Sequence, residues 1–247
     1  MTTTAVSIEA EALAALGRVL DPELDESITE LGFVRSVAID DVGIEVHLRL
    51  PTSFCSPNFA YLMIADAYDA LAAVQGVGVV RVLLDDHHDS DKINAGTTTG
   101  MGYLEIFGAE AEQGLDELRA TFQRKAHVAA VERCCRNLLA GHRWSLEELP
   151  LLELMDLPEG PDKSALLRRR EAIGLHNLPH DRVVVDHLGV PVPAEGTALY
   201  LRLAMATRIS IEGNSHFCRG LLATRYADSD PAAVSGIAAV TNTRRTA

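Results

Sequence analysis

Apolar and polar positions alternate along this chain in two different periods. From Ser7 to Leu20, apolar Ile8, Ala12, Leu13, Leu16, Val19 and Leu20 recur at helical spacing, with Ser7 as N-cap and Asp21-Pro22 as the stop. Ser27 to Leu31 reads as one short turn closed by Gly32. Phe33 to Ile39 and Ile44 to Leu50 then alternate with a period of two and are rich in β-branched residues. Asp40-Asp41-Val42-Gly43 joins them as a hairpin connection. Pro57 to Val74 returns to the helical period and ends at Gly76, and Val77 to Leu84 is a third strand. Asp85 to Met101 is polar and rich in Gly and Thr, and reads as a loop. Beyond it the pattern is helical: Ala109 to Leu139, Leu146 to Met155, Lys163 to Ile173, Thr197 to Ile211 and Ser215 to Tyr226, the last two broken at Gly213-Asn214. The fold class expected is α+β: a small N-terminal domain of helix, two-strand hairpin, helix and strand, followed by a mainly helical region. The divisions expected are 1–108, 109–227 (a client-docking unit) and a disordered tail, 228–247.

Charge supports a division near residue 112. The chain of 247 residues carries a net charge of −13. Up to Glu112 there are 19 acids and 5 bases; after it there are 16 acids and 17 bases. So acidic a surface repels phosphate backbones, and with aromatics at only 5% there is little to stack bases on, so nucleic acid is not an expected partner. No stretch of the length a bilayer needs is free of charge, no basic and apolar leader opens the chain, and four cysteines do not make a disulfide scaffold. The expectation is a cytoplasmic protein without a membrane partner.

Candidate chemistry centres on Cys55. It stands between a strand and a helix that Ser56 and Pro57 open as N-cap and first residue. The positive end of a helix favours the thiolate, the form that binds iron or attacks an electrophile. Thr52, Ser53 and Ser56 bring hydroxyls to the same small space. The alternative is a cysteine packed under a loop.

Asp21-Pro22-Glu23-Leu24, then Ile28-Thr29-Glu30-Leu31-Gly32-Phe33-Val34, two strands, and Thr52-x-x-Cys55 entering a helix resemble the SufT/PaaD-like family of iron–sulfur cluster assembly proteins. The resemblance runs from about Ile8 to Leu84. It implies a small α+β domain that builds or delivers metal–sulfur cofactors, with Cys55 at the family's cysteine and Asp21 at its acid, Glu23 nearby. Here Ser56 separates the cysteine from the proline that directly follows it in the family, and Asp85-Asp86-His87-His88-Asp89 replaces a Trp-containing segment. Family domains also accompany multicomponent oxygenases, so an oxygenase is a candidate client.

Other metal donors are weaker. His87 and His88 sit among four acids, a donor set suited to a first-row metal, but the favoured reading is a solvated acidic loop. Cys134 and Cys135 diverge on a helix, and Cys134 reads as core. A site combining His127, Cys135 and Cys218 is not indicated by spacing. Arg168-Arg169-Arg170 reads as a solvated basic face.

Three functions compete. One is an assembly factor, not an enzyme, holding iron or an iron–sulfur cluster transiently through Cys55. One cysteine cannot supply four cluster ligands, so a homodimer or client metalloprotein is expected to supply the rest. The second is a metal-free client-binding chaperone or interaction module. The third, a cysteine nucleophile, needs a histidine that the sequence does not identify.

Overall fold

The computed structural model describes residues 7–108, 114–227, 237 and 239–244. The chain divides into two compact units. One comprises Met1–Leu115 with Asn214–Ala247, and the other Asp116–Gly213.

The first unit opens with α1, Ile8–Leu16, whose first turn is capped by the Ser7 hydroxyl accepting from the Ala10 N–H at 3.2 Å. The helix stops at Gly17, before Asp21-Pro22, because residues 20–21 and 26–27 pair as a two-residue ribbon, β1 (Leu20–Asp21) with β2 (Glu26–Ser27). The hairpin follows as read: β3, Val34–Ile39, and β4, Gly43–Arg49, are antiparallel. Asp40 makes the turn by accepting from the Val42 and Gly43 N–H groups at 2.8 and 2.9 Å. Helix α2, Pro57–Ala72, carries the chain back so that β5, Val79–Asp85, lies parallel to β4. Ile44, Val46 and Leu48 of β4, Val82 and Leu84 of β5, and Val37 and Ile39 of β3 meet Ala60, Met63, Ile64, Ala67 and Leu71 of α2 in one buried core. The opposite sheet face is polar, with Arg81 on Glu45, His47 bridging Glu45 and Asp85, and Arg35 on Asp85.

Two segments differ from the sequence expectation. Residues 90–98, within the expected loop, form α3 (Ser90–Thr98), followed by α4 (Tyr103–Phe107). Asn94 of α3 pairs with both backbone groups of Leu84, at 2.8 and 3.0 Å, and so occupies the free edge of β5. Gly96 lets α4 approach: a Cβ there would stand 2.3 Å from the Ile106 side chain. The tail also departs from disorder. Ala239–Asn242 form β6, which pairs parallel with β3 and completes the order β5-β4-β3-β6; residues 228–236 lie outside the described residues.

The second unit is built on α5, Leu115–Ala140, with 109–113 of the expected helix outside the described residues. The expected helix 146–155 is instead two 3-10 turns, Leu149–Leu151 and Leu154–Asp156. Helix α6 is Pro161–Ala172. Leu149, Leu152, Leu154, Leu166, Val183 and Val184 pack on Val131, Cys134, Cys135 and Leu138. Arg170 is not a solvated base. It is buried, and its guanidinium donates to the His176 and Arg182 carbonyls at 2.8 and 3.0 Å, clamping the segment after α6. A buried pair, Arg208 to Glu132 at 2.5 Å, joins the last helix to α5.

That last helix, α7, is continuous from Ala194 to Arg225. No break occurs at Gly213-Asn214, because a glycine lowers helix propensity by about 1 kcal/mol without forbidding the conformation, and packing on both sides outweighs it.

Candidate metal-handling site

The Asp21 and Cys55 loops and the end of α7 meet in the first unit. Asp21 is 6% exposed, and its Oδ1 accepts from the N–H groups of Glu23 and Leu24 at 2.9 and 2.8 Å. The turn residue is therefore also a buried acid. Burial pushes its pKa up to about 6, against the lowering effect of those two hydrogen bonds.

Cys55 is half-buried just outside α2. Its sulfur lies 3.5 Å from Thr52 Oγ1, which itself accepts from the Phe54 N–H at 3.2 Å. Between the two, either the threonine hydroxyl or the thiol can donate. Ser56 opens the helix by backbone conformation alone. Its side chain makes no cap bond and donates instead to Asn58 Oδ1. Ser53 contributes its carbonyl, which accepts from the His88 N–H at 2.9 Å.

His87 is brought to Cys55, in a supporting position. Its Nε2 donates to the Cys55 carbonyl at 2.7 Å, and its Nδ1 accepts from the Asp89 N–H at 3.1 Å. Both ring nitrogens are thereby committed, so the ring sets the cysteine loop in place and has no lone pair left for a metal. His88 is exposed and lies against exposed Phe54, with ring centroids 5.9 Å apart. Cys135 is buried in the second unit, and burial drives its thiol pKa far up, as it pushes that of Cys134 to about 12. Both read as core thiols.

Cys218 is the residue whose place the sequence did not reveal. It sits on the last three turns of α7, on the face that carries buried Ser215 and Leu222. That face is anchored at two ends. Toward the Asp21 loop, Asn214 donates to Glu23 at 3.2 Å, Ser215 to Glu26 at 2.5 Å, and Arg219 to both Glu26 and the Glu30 carbonyl. Toward the Cys55 loop, Arg225 donates to the carbonyls of Leu50 and Asp86, and Tyr226 to the Asp86 carboxylate at 3.2 Å. Buried Arg49 lies 4.8 Å from the Tyr226 ring centre. Burial pushes the Cys218 thiol up to about 11, and the charges of Asp21, Cys55 and Glu23 push it the same way. The helical period of Ser215, Cys218, Leu222 and Arg225 was the available signal for a docked face. What it docks on was not readable from it.

Among the described residues, no group of three or more His, Cys, Asp or Glu side chains is arranged to hold a metal ion. No described helix is long and apolar enough to cross a membrane.

Residues 9–84 match the family model described as iron–sulfur cluster assembly protein. An uncharacterised protein of Methanocaldococcus jannaschii is 33% identical over 85 residues, which are 34% of this chain and 87% of that protein. No solved structure matches. The matched residues are those that build α1, the β3–β4 hairpin, the Cys55 loop, α2 and β5, and through them the chain belongs to the iron–sulfur cluster assembly protein family.

Proposed function

We propose that this protein is an accessory factor, not a catalyst, that helps to assemble iron or iron–sulfur cofactors and deliver them to a client metalloenzyme, with Cys55 as a transient ligand. The observation that supports the reading is the setting of Cys55 within the family-matched residues: a half-exposed sulfur beside a helix start and a threonine hydroxyl, on a loop held by His87. A thiolate so placed is a ligand for a soft or borderline metal. A complete cluster shell needs about four protein ligands, so a client, a second copy of the chain or small thiols complete it. A multicomponent oxygenase is the candidate client, and the second unit its candidate docking surface.

The test is iron and sulfide content after oxygen-free purification and reconstitution, for the wild type beside Cys55→Ala. The expected result is iron and sulfide in the wild type and their loss in the variant. No metal in either would overturn the reading in favour of a metal-free client-binding module.

A further inference from the structure

Phe54 is the most exposed large apolar side chain among the described residues, at 81%, and it directly precedes Cys55. A lone exposed apolar residue needs no explanation by itself. The backbone that presents this one, however, is held at three consecutive residues. The Ser53 carbonyl accepts from the His88 N–H at 2.9 Å, the Phe54 N–H donates to Thr52 Oγ1 at 3.2 Å, and the Cys55 carbonyl accepts from His87 Nε2 at 2.7 Å. The exposed His88 ring lies beside the Phe54 ring, with centroids 5.9 Å apart. An apolar ring is thus offered to solvent on a fixed mount, and a partner that buries it pays little ordering entropy. The flanking segment, Asp85 to Asp91, has four acids and no base. Arg35 and His47 answer Asp85, whereas Asp86 and Asp91 stay exposed.

We propose that Phe54 is the anchor by which the protein that receives the metal docks over Cys55, and that this acceptor presents an apolar pocket with a basic rim. This rests on the reading of Cys55 as a transient metal ligand and names the partner face that such a ligand needs. Transfer by ligand exchange breaks one metal–sulfur bond to Cys55 as one bond to a donor of the acceptor forms, and the freed thiolate takes a proton from solvent. A metal–thiolate bond is about 2.3 Å, so the sulfur and the incoming donor come within about 5 Å of each other. Residue 54 lies one Cα step, about 3.8 Å, from residue 55. An exposed ring there falls within a docked interface of ordinary size, about 800 Å² per partner, and aromatic side chains are enriched in such interfaces. Charge decides between occupants. A second copy would set the same acids, and a second net charge of −13, against these. A basic rim on a different protein is attracted instead, and steers the encounter.

The experiment places the photo-cross-linking residue p-benzoylphenylalanine in place of exposed His88, in the full-length protein in its native cells, with Phe54 intact or changed to Ser. Adducts are identified by mass spectrometry. The expected result is an adduct with a metalloprotein, on a peptide next to its metal ligands, whose yield falls about tenfold or more in Phe54→Ser. Asp91→Lys is expected to lower the yield severalfold; an unchanged yield there would overturn the basic rim. Iron and sulfide content after reconstitution is expected to be the same in Phe54→Ser as in the wild type, so that docking is lost and the metal site is kept. Loss of iron in that variant would overturn the proposal by placing Phe54 in the metal site. Adducts with a second copy of the chain, adducts away from any metal ligand, no adduct, or a yield indifferent to Phe54→Ser would each overturn it as well. The expected adduct from a protein that takes up no metal on reconstitution would overturn the Cys55 reading and leave the docking face standing.

Discussion

At the residue scale, the unusual group is Asp21. A carboxylate that is buried yet accepts two backbone N–H bonds is held by geometry and opposed by solvation. Its pKa is raised from 3.8 to about 6, so the native state binds a proton that the unfolded chain does not bind over that window. Stability from this group is therefore full below pH 3.8 and lost as pH rises through about 6. Asparagine preserves the Oδ1 acceptor and removes the charge. Asp21→Asn is expected to raise stability at pH 7 by about 2 kcal/mol, with little effect near pH 4. Denaturant melts at the two pH values check this. A loss of stability at pH 7 would show that the ionised carboxylate stabilises the fold. If Asp21 balances a bound cation, the same variant also retains less iron, so greater stability would accompany weaker function.

His127, in the second unit, has the opposite sign. It is fully buried, and among the described residues neither ring nitrogen has a hydrogen-bond partner. Burial, aided by the positive charges of Arg170 and Arg169, lowers its pKa from 6.5 to about 4. The folded state holds the neutral ring, so stability is full above pH 6.5 and falls as pH drops toward 4, by about 3 kcal/mol at most. His127→Leu is expected to remove this acid sensitivity. Melting wild type and variant at pH 7 and pH 4.5 decides it: parallel losses would mean that His127 is not the group that titrates.

At the element scale, two glycines with different surroundings separate packing from propensity. A Cβ on Gly43 would stand 1.9 Å from the Val79 carbonyl oxygen, where β4 meets β5. Backbone cannot yield there as a flexible side chain can. Gly43→Ala is expected to cost more than about 2 kcal/mol and to loosen the β4–β5 ladder. Gly213, inside α7, has nothing within 4 Å of an added Cβ. Gly213→Ala is expected to stabilise by about 0.5–1 kcal/mol through helix propensity alone. Thermal melts of the two variants should move in opposite directions. Destabilisation by Gly213→Ala would mean that α7 needs flexibility at its midpoint. Segment 90–98 shows why propensity misled. Thr97, Thr98 and the C-cap Thr99 are poor helix formers, but each returns its hydroxyl to a carbonyl of the preceding turn, and the Asn94 side chain and Gly96 meet β5 and α4.

At the scale of the whole molecule, the chain returns to its first unit after building its second. Arg219 and Arg225 fasten the last turns of α7 to Glu26, Glu30, Leu50 and Asp86, all distant in sequence. An Arg225→Ala change leaves the buried sheet core intact and removes the anchor nearest the Cys55 loop. It is expected to destabilise the fold by about 1–2 kcal/mol and to raise the reactivity of Cys218 toward a thiol reagent. Unchanged labelling rates at matched folded fraction would show that the anchor at Asn214, Ser215 and Arg219 holds the helix alone.

What the sequence by itself determined is local or short in range. Period-two alternation with a turn at Asp40–Gly43 fixes the hairpin. Period-3.6 apolar positions with Pro57 at the start fix α2, and together they put Cys55 at a strand-to-helix joint, in an order of motifs specific enough to resemble one family. Tertiary structure decided the rest, because it depends on partners far along the chain. Asp21 becomes a buried acid only in the folded chain. His87 becomes a support only when its two nitrogens meet the Cys55 carbonyl and the Asp89 N–H. Four exposed-looking residues, Ala239–Asn242, become a strand only because β3 offers an unpaired edge. Cys218 has no local pattern that names its neighbour. It packs against the first unit's core because α7 is long, continuous and anchored at both ends of one face, a consequence of packing that no window of sequence contains.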